Sequence, residues 1–326
     1  MPLSITYLVA VRHKIEYSRK GRVIMNYYPE GINFTDKKFT SIDEIKEAII
    51  NGDIIESKVL LCDKEHNLHI DLGVMSGIIP RCEGALGIEE ETVRDIALIS
   101  KVNKPVAFKI AAIKQDEFGN DYALLSRRIV QLECMRDYIS KLECGDIITA
   151  KVTHLEKFGA FIDIGAGLNS LIPIDMLSVS RINHPRERVY IGQIIQVVLR
   201  KKEEHKMTFS LKELLGTWEE NAAMFSVGET VTGIVRSIEN YGVFVELTPN
   251  LAGLAEPCKN LEPGQKVSVF IKSVLPDKMK VKLVIVEAFN DFALPGELEY
   301  FIKDGSISHW KYSPDNAVKL IETRFV

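Results

Sequence analysis

Residues 145–165 read GDIITAKVTHLEKFGAFIDIG, and residues 228–248 read GETVTGIVRSIENYGVFVELT. Both open on a glycine and an acidic residue, continue with alternating apolar positions, and reach an aromatic pair at the same distance from the glycine: Phe158-Gly159-Ala160-Phe161 and Tyr241-Gly242-Val243-Phe244. Alternation with period two is the mark of a half-buried strand. Its return in one register marks an internal repeat. Residues 52–73, GDIIESKVLLCDKEHNLHIDLG, form a third copy in which His66 and His69 take the aromatic positions and Ile70-Asp71-Leu72-Gly73 parallels Ile162-Asp163-Ile164-Gly165.

Working outward, each copy continues with a turn and a short apolar strand: Gly77-Ile78-Ile79-Pro80, Ser170-Leu171-Ile172-Pro173 and Gly253-Leu254-Ala255-Glu256. A loop follows, then a β-branched run and a last strand ending near Ser126, Ser210 or Val284; Gly192-Gln193 and Gly264-Gln265 introduce that run in the later two copies. Five short strands in roughly 70–80 residues leave no room for a second layer of helices and suit a small closed barrel of the OB type. The expected fold is therefore all-β: three tandem five-stranded OB-fold barrels joined by short helices, with a C-terminal β-hairpin.

The expected boundaries are an N-terminal extension with a short helix (1–48), a divergent barrel (49–130), a helical connector (131–144), a second barrel (145–213), a connector (214–227), a shortened barrel (228–286) and a tail (287–326). Ser41 and Glu44 form a capping-box pattern ahead of Ile42, Ile45, Ala48 and Ile49, and Gly52 supplies a stop. Residues 129–142 and 214–225 read as amphipathic helices. In the tail, residues 298–302 and 307–312 flank Lys303-Asp304-Gly305 and read as a hairpin with Asp-Gly at its turn. Upstream, Arg19-Lys20-Gly21-Arg22 is what a purine-rich ribosome-binding site would read as if translated, so Met25 is a candidate initiator; a strand from Ser4 to Ile15 is the alternative.

Of the 326 residues, 46% are hydrophobic and 26% charged, the composition of an ordinary globular chain rather than a disordered one. The net charge of −4, from 41 basic and 45 acidic residues, argues against a partner gripped by overall positive charge. By segment, however, 145–213 and 228–285 carry a slight basic excess and 49–130 an acidic one. Five scattered cysteines without a Cys-x-x-Cys pair suggest a reducing cytoplasm, and the apolar runs are strand-sized, so no membrane partner is expected. Cys62, His66, His69 and Cys82 have zinc-compatible chemistry, but the histidines occupy the aromatic strand positions and no cysteine pair accompanies them, so neither a metal nor any other cofactor is assigned. No Walker loop, Gly-x-Ser-x-Gly elbow or His-Glu-x-x-His helix is present, and the chain is expected not to be an enzyme.

The segment from Gly145 to Lys212 resembles the RNA-binding domain named after bacterial ribosomal protein S-one. The resemblance rests on Lys157-Phe158-Gly159-Ala160-Phe161, on Arg181-Ile182-Asn183-His184-Pro185 in the long loop, and on Phe209-Ser210-Leu211-Lys212. The third copy is a shorter version and the first resembles the divergent leading repeats of multi-domain members. The resemblance implies binding of single-stranded RNA on an exposed barrel face, where Phe158, Phe161, Tyr241 and Phe244 are the expected stacking platforms, and it places Lys206 and Lys280 as backbone contacts; by charge, Arg200-Lys201-Lys202 with Lys206, and Arg181, Arg186 and Arg188 in the long loop, make the second barrel the best phosphate-binding surface. Stacking on an aromatic face is tolerant of sequence because every base has a π-face. The histidine usual on the third strand falls at Pro173 and Glu256, and the usual aspartate before the final hairpin at Lys202 and Pro276. Positions i and i+3 differ in parity on an ideal strand, so both aromatics of a pair face solvent only if the intervening glycine brings a bulge or bend.

The function this implies is mRNA binding in translation, in the cytoplasm, with the small ribosomal subunit as a partner. Two alternatives are a docking factor, whose acidic first barrel and C-terminal hairpin bind a ribosomal or other protein while RNA contact is incidental, and an enzyme accessory of the kind appended to ribonucleases.

Overall fold

The computed structural model describes residues 15–17, 23–25, 27–35, 38–203 and 206–325. The leader and Ser4–Ile15 readings fall almost wholly outside the described residues; within them, the backbone of β1 (Ile15–Tyr17) pairs antiparallel with β2 (Val23–Met25). Contacts divide the chain into two units, one reaching to Leu142 and taking in Gly165–Gly167, the other formed by Glu143–Ile164 and the chain from Leu168 onward.

In the first unit, α1 (Ile42–Asn51) starts at Ser41, whose hydroxyl accepts from Glu44 N–H, and stops at Gly52 in the left-handed region (φ 64°). The Glu44 carboxylate reaches Thr40 rather than Ser41, accepting from its N–H and its hydroxyl. Barrel one closes from β3 (Ile55–Cys62), β4 (Leu68–Asp71), β5 (Ser76–Ile79), β6 (Pro105–Gln115) and β7 (Asp121–Ser126), with the short helix α2 (Ile96–Ile99) in its long loop. Its core is Val59, Leu68, Ile70, Ile79, Phe108 and Leu125, joined by Ile45 and Ala48 of α1. Glu30 is buried and accepts from Arg127 Nε (2.6 Å) and Lys101 Nζ (2.7 Å), so the segment before α1 is built into this unit. Its burial would raise the carboxyl pKa, but the two cations outweigh it and hold the group well below the usual range.

α3 (Arg127–Asp137) begins two residues ahead of the expected Ile129, because the Ser126 hydroxyl at the end of β7 caps it by accepting from Ile129 N–H. A single 3-10 turn, Ile139–Lys141, completes the connector.

In the second unit, barrel two closes from β8 (Ile147–Glu156), β9 (Gly159–Asp163), β10 (Asn169–Pro173), β11 (Ile194–Glu203) and β12 (Lys206–Ser210). Barrel three closes from β13 (Thr230–Glu239), β14 (Gly242–Thr248), β15 (Leu251–Ala255), β16 (Gln265–Leu275) and β17 (Lys280–Phe292), so its last strand passes Val286. The second connector is shorter than expected: a 3-10 turn (Lys212–Leu215) and α4 (Trp218–Ala222), with Gly216 at φ 84° between them.

The recurring Gly-acidic opening has a physical reason. Gly145 and Gly228 both adopt φ 94°, and the acid behind each closes the turn into the first strand: Asp146 accepts from Glu143 N–H (2.8 Å) and Glu229 from Ser226 N–H (2.9 Å). The glycine inside each aromatic pair is required by close approach. A Cβ on Gly159 would lie 2.4 Å from the Ile172 carbonyl oxygen, and one on Gly242 2.5 Å from that of Ala255.

The tail departs from expectation. Residues 298–302 do not pair with 307–312; instead β18 (His309–Lys311) pairs with β19 (Glu322–Arg324). The 298–302 stretch packs elsewhere: Gln196 N–H donates to the Tyr300 hydroxyl (3.1 Å) and Phe301 N–H to the Leu214 carbonyl (2.9 Å). Beyond the Asp-Gly turn, Ile147 N–H donates to Gly305 O and Ile307 N–H to Gly145 O, so the chain adds to the edge of β8 rather than folding back on itself. Trp310, Tyr312 and Phe325 bury there, and this apolar cover decides the pairing.

Candidate nucleic-acid interface

Across barrel two, strand pairing aligns His154 with Phe161, Phe161 with Leu171, Leu171 with Thr208, and Thr208 with Lys201. None of these five is buried, while Ala160, Ile162, Ile172 and Phe209, one position away, form the core. The five therefore make an outward row around the barrel. In barrel three the equivalent row is Ser237, Phe244, Leu254, Lys282 and Ser273. In barrel one it is Leu61, His69, Ile78, Leu124 and Ala112.

Phe158 lies in the turn before β9, is 57% exposed, and meets Phe161 edge to face at 5.9 Å between ring centroids. Tyr241, 66% exposed, meets Phe244 in the same way at 6.2 Å. The parity argument does not apply, because the first aromatic of each pair is a turn residue, not a strand residue. The bulge lies instead on the preceding strand, between Val152 and His154 in β8 and between Val235 and Ser237 in β13. It swings His154 to the outer side, where its ring stands 6.1 Å from Phe161. The imidazole that the resemblance places on the third strand is absent there, and one is supplied from the first strand; only the bulge, invisible to strict alternation, makes this so.

Lys206 and Lys280 occupy the same register position, starting β12 opposite Glu203 and β17 opposite Leu275, and both are exposed. Lys202 pairs with Met207, one position out of the aromatic row; Lys201 holds the row and bonds Glu203 at 2.5 Å. Arg181 is exposed, on a long loop whose Val179 and Ser180 N–H groups donate to Asn250 and Pro249 of barrel three. Arg188, part of the basic cluster expected in that loop, is buried and gives both Nη1 and Nη2 to Glu246 at 2.8 Å, so it presents no charge to a ligand. Thus the structure brings together each aromatic pair and a lysine of the same face, and leaves Arg181 apart.

In barrel one, His69 Nε2 lies 2.9 Å from the Asp63 carboxylate. Desolvation alone would raise the Asp63 pKa, but the hydrogen bonds from His69 and Asn67 outweigh it and hold the carboxyl far below its usual range. Among the described residues no group of three or more His, Cys, Asp or Glu side chains is placed to hold a metal ion. Nor is any helix among them long and apolar enough to cross a membrane.

Residues 141–212, which hold the outward row of barrel two, match the S1 RNA binding domain. The chain is similar to small ribosomal subunit protein bS1 of Staphylococcus aureus (strain COL), at 30% identity over 263 residues. The match to bS1 of Staphylococcus haemolyticus is 28% over 264 residues. In both, the alignment takes in 75% of this chain and 64% of the relative, so the chain spans less than two thirds of the length of these relatives. Among solved structures, a multidomain protein with nucleic acid binding domains from Streptococcus pneumoniae TIGR4 covers 72% of the chain at 13% identity and a TM-score of 0.25.

Proposed function

We propose that this S1-domain chain is a non-catalytic, cytoplasmic protein that binds single-stranded RNA, mRNA above all, in translation. The observation that carries the reading is the repeated outward pair, Phe158 with Phe161 and Tyr241 with Phe244, each beside exposed lysines on one face. Aromatic planes take bases and lysines take phosphates, which gives grip with little base preference. The name of its relatives, small ribosomal subunit protein, supports the small subunit as partner. Changing Phe158 and Tyr241 together to alanine is expected to weaken binding of a single-stranded RNA at least tenfold in a filter or anisotropy titration. Unchanged affinity would reject the assignment.

A second reading has one observation in its favour. The outward row of barrel one is apolar apart from His69, where the others carry an aromatic residue and a lysine, with Leu61 48% exposed and Leu60 beside it 53% exposed. This suits contact with protein on the ribosome. Co-sedimentation with ribosomes that survives RNase and is lost in Leu61→Lys supports that role; co-sedimentation abolished by RNase removes it.

A further inference from the structure

Barrels two and three are joined by more than a connector. Glu246, on β14 of barrel three and 3% exposed, accepts from Arg188 in the long loop of barrel two and from Arg236 Nε (2.8 Å) and Nη2 (2.9 Å) on β13. Arg236 Nη1 also reaches Glu187 of the loop at 3.0 Å. A charge cluster removed from water is costly to form in any arrangement but the well-bonded one, so it serves to fix a geometry.

Beside it, Asn250, wholly buried, accepts from Val179 N–H of the loop and donates to the Lys212 and Gly216 carbonyls of the connector at 2.8 Å each. The tail completes the tie. It bonds Gly145 and Ile147 of barrel two, Trp218 N–H donates to Tyr312 O, and Val318 N–H donates to Asp277 O in barrel three. One continuous apolar cluster contains Val198 of barrel two, Trp218, Val245 of barrel three and Trp310 of the tail.

We propose that barrels two and three form one composite site for single-stranded RNA, in which the two aromatic pairs are held at a fixed separation and Glu246 is the positioning residue that sets it. The inference rests on the RNA-binding reading. The long loop, by giving Arg188 to Glu246, serves as a lock between barrels. A strand long enough to reach both platforms binds the second without a fresh loss of translational freedom, and a rigid join leaves little orientational entropy to lose.

The test uses the full chain and two RNA hexamers joined by an abasic spacer of increasing length. A single hexamer is expected to bind weakly, and the joined pair about 100-fold more tightly at one spacer length, with affinity falling on either side. Glu246→Gln is expected to leave hexamer affinity unchanged, to lower the optimum about tenfold and to broaden it. If the joined pair binds no better than one hexamer, or if Glu246→Gln leaves the optimum sharp, the composite site is overturned. If hexamer affinity is unchanged when Phe158→Ala and Tyr241→Ala are made together, the RNA reading falls first and the composite site with it. The spacer series needs no variant, so it decides even if Glu246→Gln does not fold.

Discussion

Barrel one and barrel two use the same strand order, the same bulge on the first strand and the same outward row, yet that row is Leu61, His69, Ile78, Leu124 and Ala112 in one and His154, Phe161, Leu171, Thr208 and Lys201 in the other. The backbone is set by inward residues that both barrels share in kind, Ile70 and Leu125 against Ile162 and Phe209. The lesson is that this fold presents the same row of surface positions whatever stands in them, and on the RNA-binding function proposed above the residues in that row decide whether a nucleic acid is received.

The largest effect expected separates the two units by stability. Removing Glu246 leaves Arg188 buried without a counter-charge and Arg236 with Glu187 alone, which costs about 3–5 kcal/mol. Both tryptophans, Trp218 and Trp310, lie in the second unit. Urea unfolding of Glu246→Ala followed by tryptophan fluorescence should therefore show an early transition, while the first unit, read by hydrogen exchange in barrel one, keeps its protection. Equal loss in both units would contradict the division.

Next comes binding. Phe161→Ala should weaken RNA affinity by about 1–3 kcal/mol, roughly the contribution of one stack. His69→Ala at the equivalent position of barrel one should change it less than twofold. Comparable losses would erase the contrast between the barrels. Smaller still is the effect of salt. Lys206→Ala is expected to lower the slope of log affinity against log salt by about 0.7, the share of one phosphate on a single strand, and Tyr122→Ala, its counterpart in barrel one, to leave the slope alone.

The smallest effect is on pH dependence, and it has one sign in both units. Burial opposes ionisation of Glu246, but Arg188 and Arg236 hold its pKa below the ordinary value, as the cations around Glu30 do in the first unit. A carboxyl depressed on folding contributes stability above its unfolded value of about 4.3, and that contribution is lost as pH falls through the folded value. The melting temperature of the second unit should thus fall more steeply in the wild type than in Glu246→Gln as pH drops below about 5, and the two should run parallel between pH 7 and 5.

Much of this was legible before any coordinates. The period-two runs gave the strands, and the register of Phe158 and Tyr241 against their opening glycines exposed the repeat. What local pattern could not carry was anything decided across the chain. Arg188 reads as a solvent-facing cation until Glu246, 58 positions away, is known to face it. His154 reads as an inward or outward residue according to a bulge that alternation does not announce. The tail's Asp-Gly signal was real as a turn, but Trp310 and Tyr312 gain more by burying against barrel three and the connector than a free hairpin offers, so tertiary packing set the pairing.

The most direct test of the central claim, that surface rows and not the barrel fold select RNA, is photo-crosslinking of a uridine-rich single strand to the full chain with the crosslinked residues mapped by mass spectrometry. The account predicts crosslinks at Phe158, Phe161, Tyr241 and Phe244 and none on Leu61, His69 or Ile78. Crosslinks that fall on the row of barrel one, with the aromatic pairs unmarked, would contradict it.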